Sequence, residues 1–203
     1  MKHKAVIFDF GNVLGTFEHM KACQYLAHSC ESTAQEIYDF AIRGTINSER
    51  ETGKMPPEEF FRKMCAEFTF SNNLSFEKFS SIWGDIFSSN EAMEPIVQTL
   101  SQKVPIFILS NTEELHWRYI ERLPTVQKYF SRPEQQILSF RVGARKPDKK
   151  IFTEGIKRSG LSPENILYLD DVREYVDTFR NMSGVGIQYN CRVDSIKKLE
   201  TLL

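Results

Sequence analysis

Cysteine is scarce in this sequence, with four residues (Cys23, Cys30, Cys65 and Cys191) and no C-x-x-C pair among them. Nothing around them is secretory, so free thiols in a reducing cytoplasm are expected rather than a disulfide framework. No apolar run approaches the roughly 18 residues that a membrane span requires. Neither sign of charge is in excess: 26 Lys and Arg stand against 27 Asp and Glu, a net charge of −1, which argues against a global field drawing the chain to nucleic acid or to an anionic membrane. Internal repeats and low-complexity segments are missing as well. What remains is ordinary globular usage, 41% hydrophobic and 26% charged over 203 residues, enough to bury a core in one domain or in one domain plus an insert. The first residues, "MKHKAVIFDFGNVLG", set a basic start before an apolar run, but Asp9, Gly11 and Asn12 interrupt that run and no small-residue cleavage site follows. The segment is therefore expected to belong to the fold and not to a leader. A monomer or weak dimer is expected.

Short apolar runs rich in β-branched and aromatic residues recur at "AVIFDF", "VPIFILSN", "QQILSF", "NILYLDD" and "GVGIQYN", and read as buried parallel strands. Helical spacings lie between the later ones: Leu115 and Tyr119, then Phe152 and Ile156, then Val172, Val176 and Phe179, and last Val193, Ile196 and Leu199. This alternation predicts an α/β fold, a doubly wound, Rossmann-like parallel sheet with helices on both faces. The stretch from about Thr16 to Asn90 differs. It offers no convincing strand, but shows helical spacing in Phe60, Met64 and Phe68 and in Phe76, Phe79, Trp83 and Phe87, broken at "TGKMPP" and "TFSNN". The expected organisation is a catalytic core of residues 1–15 and 91–203 with an α-helical cap, residues 16–90, inserted after the first strand.

Ligands of open α/β sheets bind outside the carboxyl ends of the strands, and three of those ends carry unusual polar groups: Asp9, the pair Ser110 and Asn111, and the pair Asp170 and Asp171. A fourth element, "ARKPD", sets Lys146 before Pro147, whose fixed φ suits the first position of a helix. Taken singly, each has an ordinary structural reading. Asp9 suits a turn, held by the amides of Gly11 and Asn12. Ser110 and Asn111 suit the cap of a helix whose Glu113 and Glu114 complement its dipole. Lys146 lies in a basic run of the solvated kind. Asp170 and Asp171 suit a helix cap, although capping needs only one acid and a second adjacent carboxylate is better explained by a cation. Jointly they are the parts that phosphoryl transfer to an enzyme carboxylate demands: a nucleophile, a hydroxyl for a phosphate oxygen, a lysine, and carboxylates able to hold Mg²⁺.

The ordered set "FDFGNVL", "ILSNT", "RKPD" and "LYLDD" resembles the four motifs of the haloacid dehalogenase superfamily, in the branch with a helical cap after the first motif. The "DFGNV" and "SNT" forms look most like the subgroup containing bacterial sugar-1-phosphate phosphatases. The resemblance implies Asp9 as nucleophile and metal ligand, and Gly11 as a carbonyl ligand. It implies phosphate contacts from Ser110 and Asn111, charge balance from Lys146, and Mg²⁺ held chiefly by Asp171 with Asp170 in support. The cap loop "ERETGKMPP" is expected over the site, which makes Glu51 and Lys54 candidates for reading the substrate; a solvated loop is the other reading.

One departure stands out. Most phosphatases of the superfamily carry a second Asp where this chain has Gly11, and use it to protonate the leaving group. Glu18 and His19, a few residues on, are candidate substitutes, with two solvated residues at a helix start as the plainer reading. The expectation is a Mg²⁺-dependent phosphatase of a small phosphorylated metabolite, with sugar 1-phosphates favoured because an anomeric oxyanion leaves readily. The alternatives are a phosphate-binding regulatory protein with an impaired site and a metal-independent 2-haloacid dehalogenase, a class that usually has a different fourth motif.

Overall fold

A computed structural model describes residues 3–70 and 74–202. The chain opens with strand β1 (Ala5–Phe8), buried along its whole length, as a run apolar on both faces must be if it sits inside a sheet covered twice. It then enters β2 (Gly15–Phe17) and five α-helices, α1 (His19–Ala27), α2 (Ala34–Tyr38), continued by a π-helical turn over Asp39–Arg43, α3 (Thr45–Glu51), α4 (Pro57–Glu67) and α5 (Phe76–Gly84), and leaves them through β3 (Phe87–Ser89). After α6 (Glu94–Ser101) come β4 (Ile106–Ser110), α7 (Glu114–Ile120), α8 (Pro124–Tyr129), β5 (Gln136–Leu138), α9 (Ser139–Val142), α10 (Lys149–Ser159), β6 (Ile166–Asp170), α11 (Arg173–Asn181) and β7 (Val185–Gln188).

Five of these strands form one parallel sheet in the order β5-β4-β1-β6-β7. On β1, Val6 pairs with Ile106 on one side and Leu167 on the other, so the first strand lies at the centre. The chain departs from it first towards β4 and later towards β6, and the crevice where those directions part lies outside the carboxyl end of β1. Side chains alternate between the faces as the pleat requires. Val6, Phe8, Ile108 and Leu169 pack against Val97, Leu100, Trp117 and Val126 of α6, α7 and α8. Ala5, Ile7, Leu109 and Tyr168 pack against Ile151, Phe152 and Phe179 of α10 and α11. Truncating one such residue, Phe8→Ala for instance, costs about 3–5 kcal/mol in a core of this kind.

Helices α1 to α5 enclose a separate apolar cluster built on Leu26, Phe60, Met64, Phe79 and Trp83. Its aromatics pack on one another, with Phe60 and Trp83 at a centroid distance of 5.0 Å and Phe79 stacked on Trp83 at 5.9 Å. Local signals start these helices: Thr33 and Glu36 form a reciprocal capping box on α2, Pro57 begins α4, and Ser75 accepts from the Lys78 amide on α5. Gly53, at φ +68°, ends the turn after α3, and a Cβ there would stand 2.2 Å from the Phe140 carbonyl oxygen. Only glycine lets that loop settle on α9.

Three expectations need correction. Residues 16–90 are not free of strands, because Gly15, Thr16 and Phe17 pair antiparallel with Ser89, Ser88 and Phe87; this short ribbon ties the entry of the helical segment to its exit, and Phe87 belongs to it rather than to α5. Phe68 caps α4 from outside the helix, and residues 71–73 of the second break lie outside the described residues. The last stretch is a 3₁₀ helix over Ile196–Leu202, with Leu199 buried but Val193 outside it and 83% exposed. No described helix is long and apolar enough to cross a membrane.

Candidate active site

Where β1, β4 and β6 end, a cavity of about 210 Å³ opens, reached from the sheet by Asp9, Ser110, Lys146 and Asp171 and from the helical segment by Phe17, His19 and Glu51. Lys146 is its electrostatic centre. The side chain is fully buried, and its ammonium lies 2.8 Å from Asp9 Oδ1 and 2.6 Å from Asp170 Oδ2, also donating to the Leu109 carbonyl at 3.3 Å. Burial pulls the Lys146 pKa down, but Asp170 and Asp9 more than offset this and hold it above the usual range. Pro147 does not open the next helix. Asp148 is the N-cap of α10, accepting from the Lys150 amide, so Lys146 reaches inward from the loop before the cap.

One oxygen each from Asp9, Asp170 and Asp171 lie within 4.8 Å of one another. Asp170 is saturated: Oδ2 accepts from Lys146 and the Tyr168 hydroxyl, and Oδ1 from the Val172 amide. Asp171 is less engaged, with Oδ2 accepting from the amides of Asn12 at 3.0 Å and Asn190 at 3.4 Å. Burial raises Asp9 to about 7, with Lys146 opposing and Asp170 and Asp171 adding to the rise. Burial also raises Asp171, the Asn12 bond opposing. The cluster is thus short of positive charge. Its donors are hard oxygens, the set suited to Mg²⁺.

Ser110 is buried at the end of β4 beside this cluster, and its hydroxyl makes no hydrogen bond among the described residues. Asn111 lines the cavity too, but its amide clamps the Lys146 main chain: Oδ1 accepts from the Lys146 N–H at 2.7 Å, and Nδ2 donates to the Lys146 carbonyl at 3.1 Å. Neither Ser110 nor Asn111 caps α7; Glu113 does, accepting from the Leu115 amide at 2.8 Å. The turn between is held by Ser139, whose hydroxyl accepts from the Thr112 amide and donates to the Thr112 carbonyl, both at 2.9 Å.

From the helical segment, Glu51 reaches the cavity and pairs with Arg145 at 3.0 Å; burial raises its pKa, with Arg145 opposing. Lys54 is exposed and is not among the residues lining the cavity, and neither is Glu18. His19 does line it, but burial, followed by the charges of His116 and Arg50, lowers its pKa to about 3. His19 is thus in place but carries no imidazolium proton at neutral pH, and Glu18 stands outside the residues that line the cavity. Gly11 itself is explained by contact. A Cβ there would stand 2.9 Å from the Phe17 ring, which occupies the space a side chain would need.

Several residues that pattern alone does not single out complete the site. Asn12, at φ 54°, is held by Arg192 through Oδ1 at 2.8 Å while it donates to Asp171. Arg50 and Glu113 form a buried ion pair at 3.4 Å that joins α3 to the start of α7. Glu113 Oε1 also accepts from Trp83 Nε1 at 3.1 Å and lies 3.6 Å from His116 Nδ1. The only linear signal for this group was the position of Glu113 directly after the "SNT" turn.

No family model matches the chain. It is 26% identical over 172 residues to a D-ribitol-5-phosphate phosphatase of Bacteroides thetaiotaomicron, covering 83% of this chain and 82% of that protein. In structure it is similar to a HAD (haloacid dehalogenase) family enzyme of the same organism solved with magnesium and inorganic phosphate, with a TM-score of 0.79 at 18% identity over 98% of this chain and 99% of that one. A HAD-like hydrolase of Porphyromonas gingivalis superposes with a TM-score of 0.79 at 20% identity, over 100% and 98% of the two chains.

Proposed function

We propose that the chain is a member of the haloacid dehalogenase superfamily, which its likeness to a phosphatase and to enzymes of that fold supports, and that it is a Mg²⁺-dependent phosphatase that cleaves a small phosphorylated metabolite through a phosphoryl intermediate on Asp9. The observation that carries this reading is the buried Lys146 between Asp9 and Asp170, with Asp171 open beside them. Asp9, Asp171 and the Gly11 carbonyl would hold Mg²⁺, which when bound neutralises phosphate charge so that a carboxylate can approach phosphorus.

Asp9 then attacks phosphorus, the bond from phosphorus to the ester oxygen breaks, and the leaving alkoxide takes up a proton from water. Water attacks the acyl phosphate, releasing inorganic phosphate and restoring the carboxylate. Lys146, held against Asp9, balances the negative charge that the phosphoryl oxygens bring in, and the Ser110 hydroxyl donates to one of them. Asn111 and Asp170 act through Lys146, one on its backbone and the other on its ammonium. Because Phe17 fills the space over Gly11, no side chain at that position offers a leaving-group acid, and a sugar 1-phosphate, leaving as a weakly basic hemiacetal oxyanion, suits the site best. A polyol phosphate, the substrate in the relative's name, is the neighbouring candidate. The four cysteines are free, in keeping with a cytoplasmic enzyme.

The test is phosphate release from paired sugar 1- and 6-phosphates and from polyol phosphates, with and without Mg²⁺. Mg²⁺-dependent turnover that Asp9→Asn abolishes supports the assignment. Turnover that persists in excess chelator, or in a folded Asp9→Asn protein, overturns it; halide release from 2-haloacids in chelator would replace it with dehalogenation, and tight phosphate binding without turnover with a regulatory protein.

A further inference from the structure

Two ring nitrogens at the cavity have no partner among the described residues: His116 Nε2 and His19 Nδ1, both shielded from solvent. His116 is 5% exposed, and both residues line the cavity. Their rings lie 5.3 Å apart. Buried polar groups are nearly always satisfied, and each exception calls for an explanation.

The His116 environment decides what its free nitrogen can do. Nδ1 faces the Glu113 carboxylate at 3.6 Å, so the proton of a neutral ring belongs on Nδ1 and the lone pair on Nε2. Glu113 is itself fixed by Arg50, Trp83 Nε1 and the Leu115 amide, and the Trp83 main chain adds a hydrogen bond to the ring while Nε2 is left without a partner. The ring is held flat against Trp83, with an interplanar angle of 9°, and edge-on to Phe87. Burial keeps both histidines uncharged at neutral pH. The remaining charges on this wall, Glu51 and Arg145, cancel each other.

We propose that the wall formed by His19, Glu51, His116 and Arg145 is a hydroxyl-binding subsite that selects an uncharged, polyhydroxylated leaving group, with His116 Nε2 accepting a hydrogen bond from a substrate hydroxyl. The inference rests on the phosphatase reading of the Asp9 end of the same cavity. An acceptor with a fixed lone pair rewards a hydroxyl and penalises an alkyl chain, which leaves it unpaired. A second anionic group on the substrate would meet no net positive charge here. His116 is thus a specificity residue and Glu113 its positioning residue.

The experiment compares two esters with matched primary-alcohol leaving groups, ribitol 5-phosphate and n-pentyl phosphate, by kcat/KM in Mg²⁺. Wild type is expected to favour the polyol, and His116→Phe to lower the ratio of the two by roughly tenfold or more, mainly through KM for the polyol. His116→Gln, which offers an acceptor near the Nε2 position, should restore much of the ratio, and thermal melting verifies the fold of each variant. Should His116→Phe fail to fold, His19→Phe carries the comparison, with a fall in the same ratio expected. An unchanged ratio in the folded variants, or a wild type indifferent to the hydroxyls, overturns the subsite while leaving the phosphatase intact. A wild type that releases no phosphate from either ester, nor from an aryl phosphate, overturns the phosphatase reading and the subsite with it.

Discussion

Asp170 and Asp171 are adjacent in sequence but do different work. Asp170 has no exposed surface and spends both oxygens on Lys146, Tyr168 and the Val172 amide, whereas Asp171 faces the cavity and is steadied on one oxygen by Asn12 and Asn190. Asp171→Asn is therefore expected to raise the Mg²⁺ concentration for half-maximal activity by an order of magnitude or more, and to shrink the rise in melting temperature that Mg²⁺ gives by linkage. Asp170→Asn should instead lower kcat with a smaller change in Mg²⁺ requirement, because it loosens the ammonium that balances Asp9. Mg²⁺ titrations of activity and of melting check both, and equal shifts for the two variants would contradict this division. At this scale the sequence was informative where a polar residue ends or directly follows an apolar strand, as Asp9, Ser110 and Asp171 do, and all three line the cavity. Arg50 and His116 carry no such signal, and Glu113 only its place at a helix start, because their chemistry exists only once residues 63 positions apart are packed together. Lys54 is exposed and off the cavity, because Gly53 just before it turns the chain onto α9.

Elements show the same contrast. The five sheet strands were legible because each is a short apolar run that must be buried on both faces. The ribbon of β2 and β3 was not, because its strands are three residues long and find each other across some seventy positions, leaving no local period to read. The joint between α3 and α7 was equally hidden. There Arg50 also donates to the Ala41 carbonyl at 2.9 Å and to Asn47 at 3.0 Å, and its guanidinium stands 4.1 Å from the centre of the Phe60 ring. Removing one partner of such a pair strands a buried charge, so Arg50→Met and Glu113→Gln are each expected to cost about 3–5 kcal/mol of stability. The double variant should cost less than the sum of the two. Denaturant unfolding of the four proteins measures this, and strictly additive losses would show that the pair does not couple α3 to α7.

For the whole molecule, the two buried histidines tie stability to pH. The folded pKa of His19 lies at about 3, below the ordinary 6.5, and that of His116 is lowered well below 6.5; burial is the leading cause for both. Between those values the unfolded chain binds protons that the folded chain refuses, so stability must fall as pH drops from about 6.5, and the fall continues until the folded rings themselves protonate. Each histidine contributes at most about 1.4 kcal/mol per pH unit to that slope. Replacing both with uncharged residues, His19→Gln together with His116→Phe, should flatten the slope between pH 6 and pH 4 by up to about 2.7 kcal/mol per unit. Carboxylates common to both proteins cancel in the comparison, provided the double variant leaves their surroundings intact. The change is read from urea unfolding free energies across that range. Equal slopes would mean that the histidines protonate without unfolding, and hence that the wall they form opens to water in the free protein instead of standing preformed for a substrate.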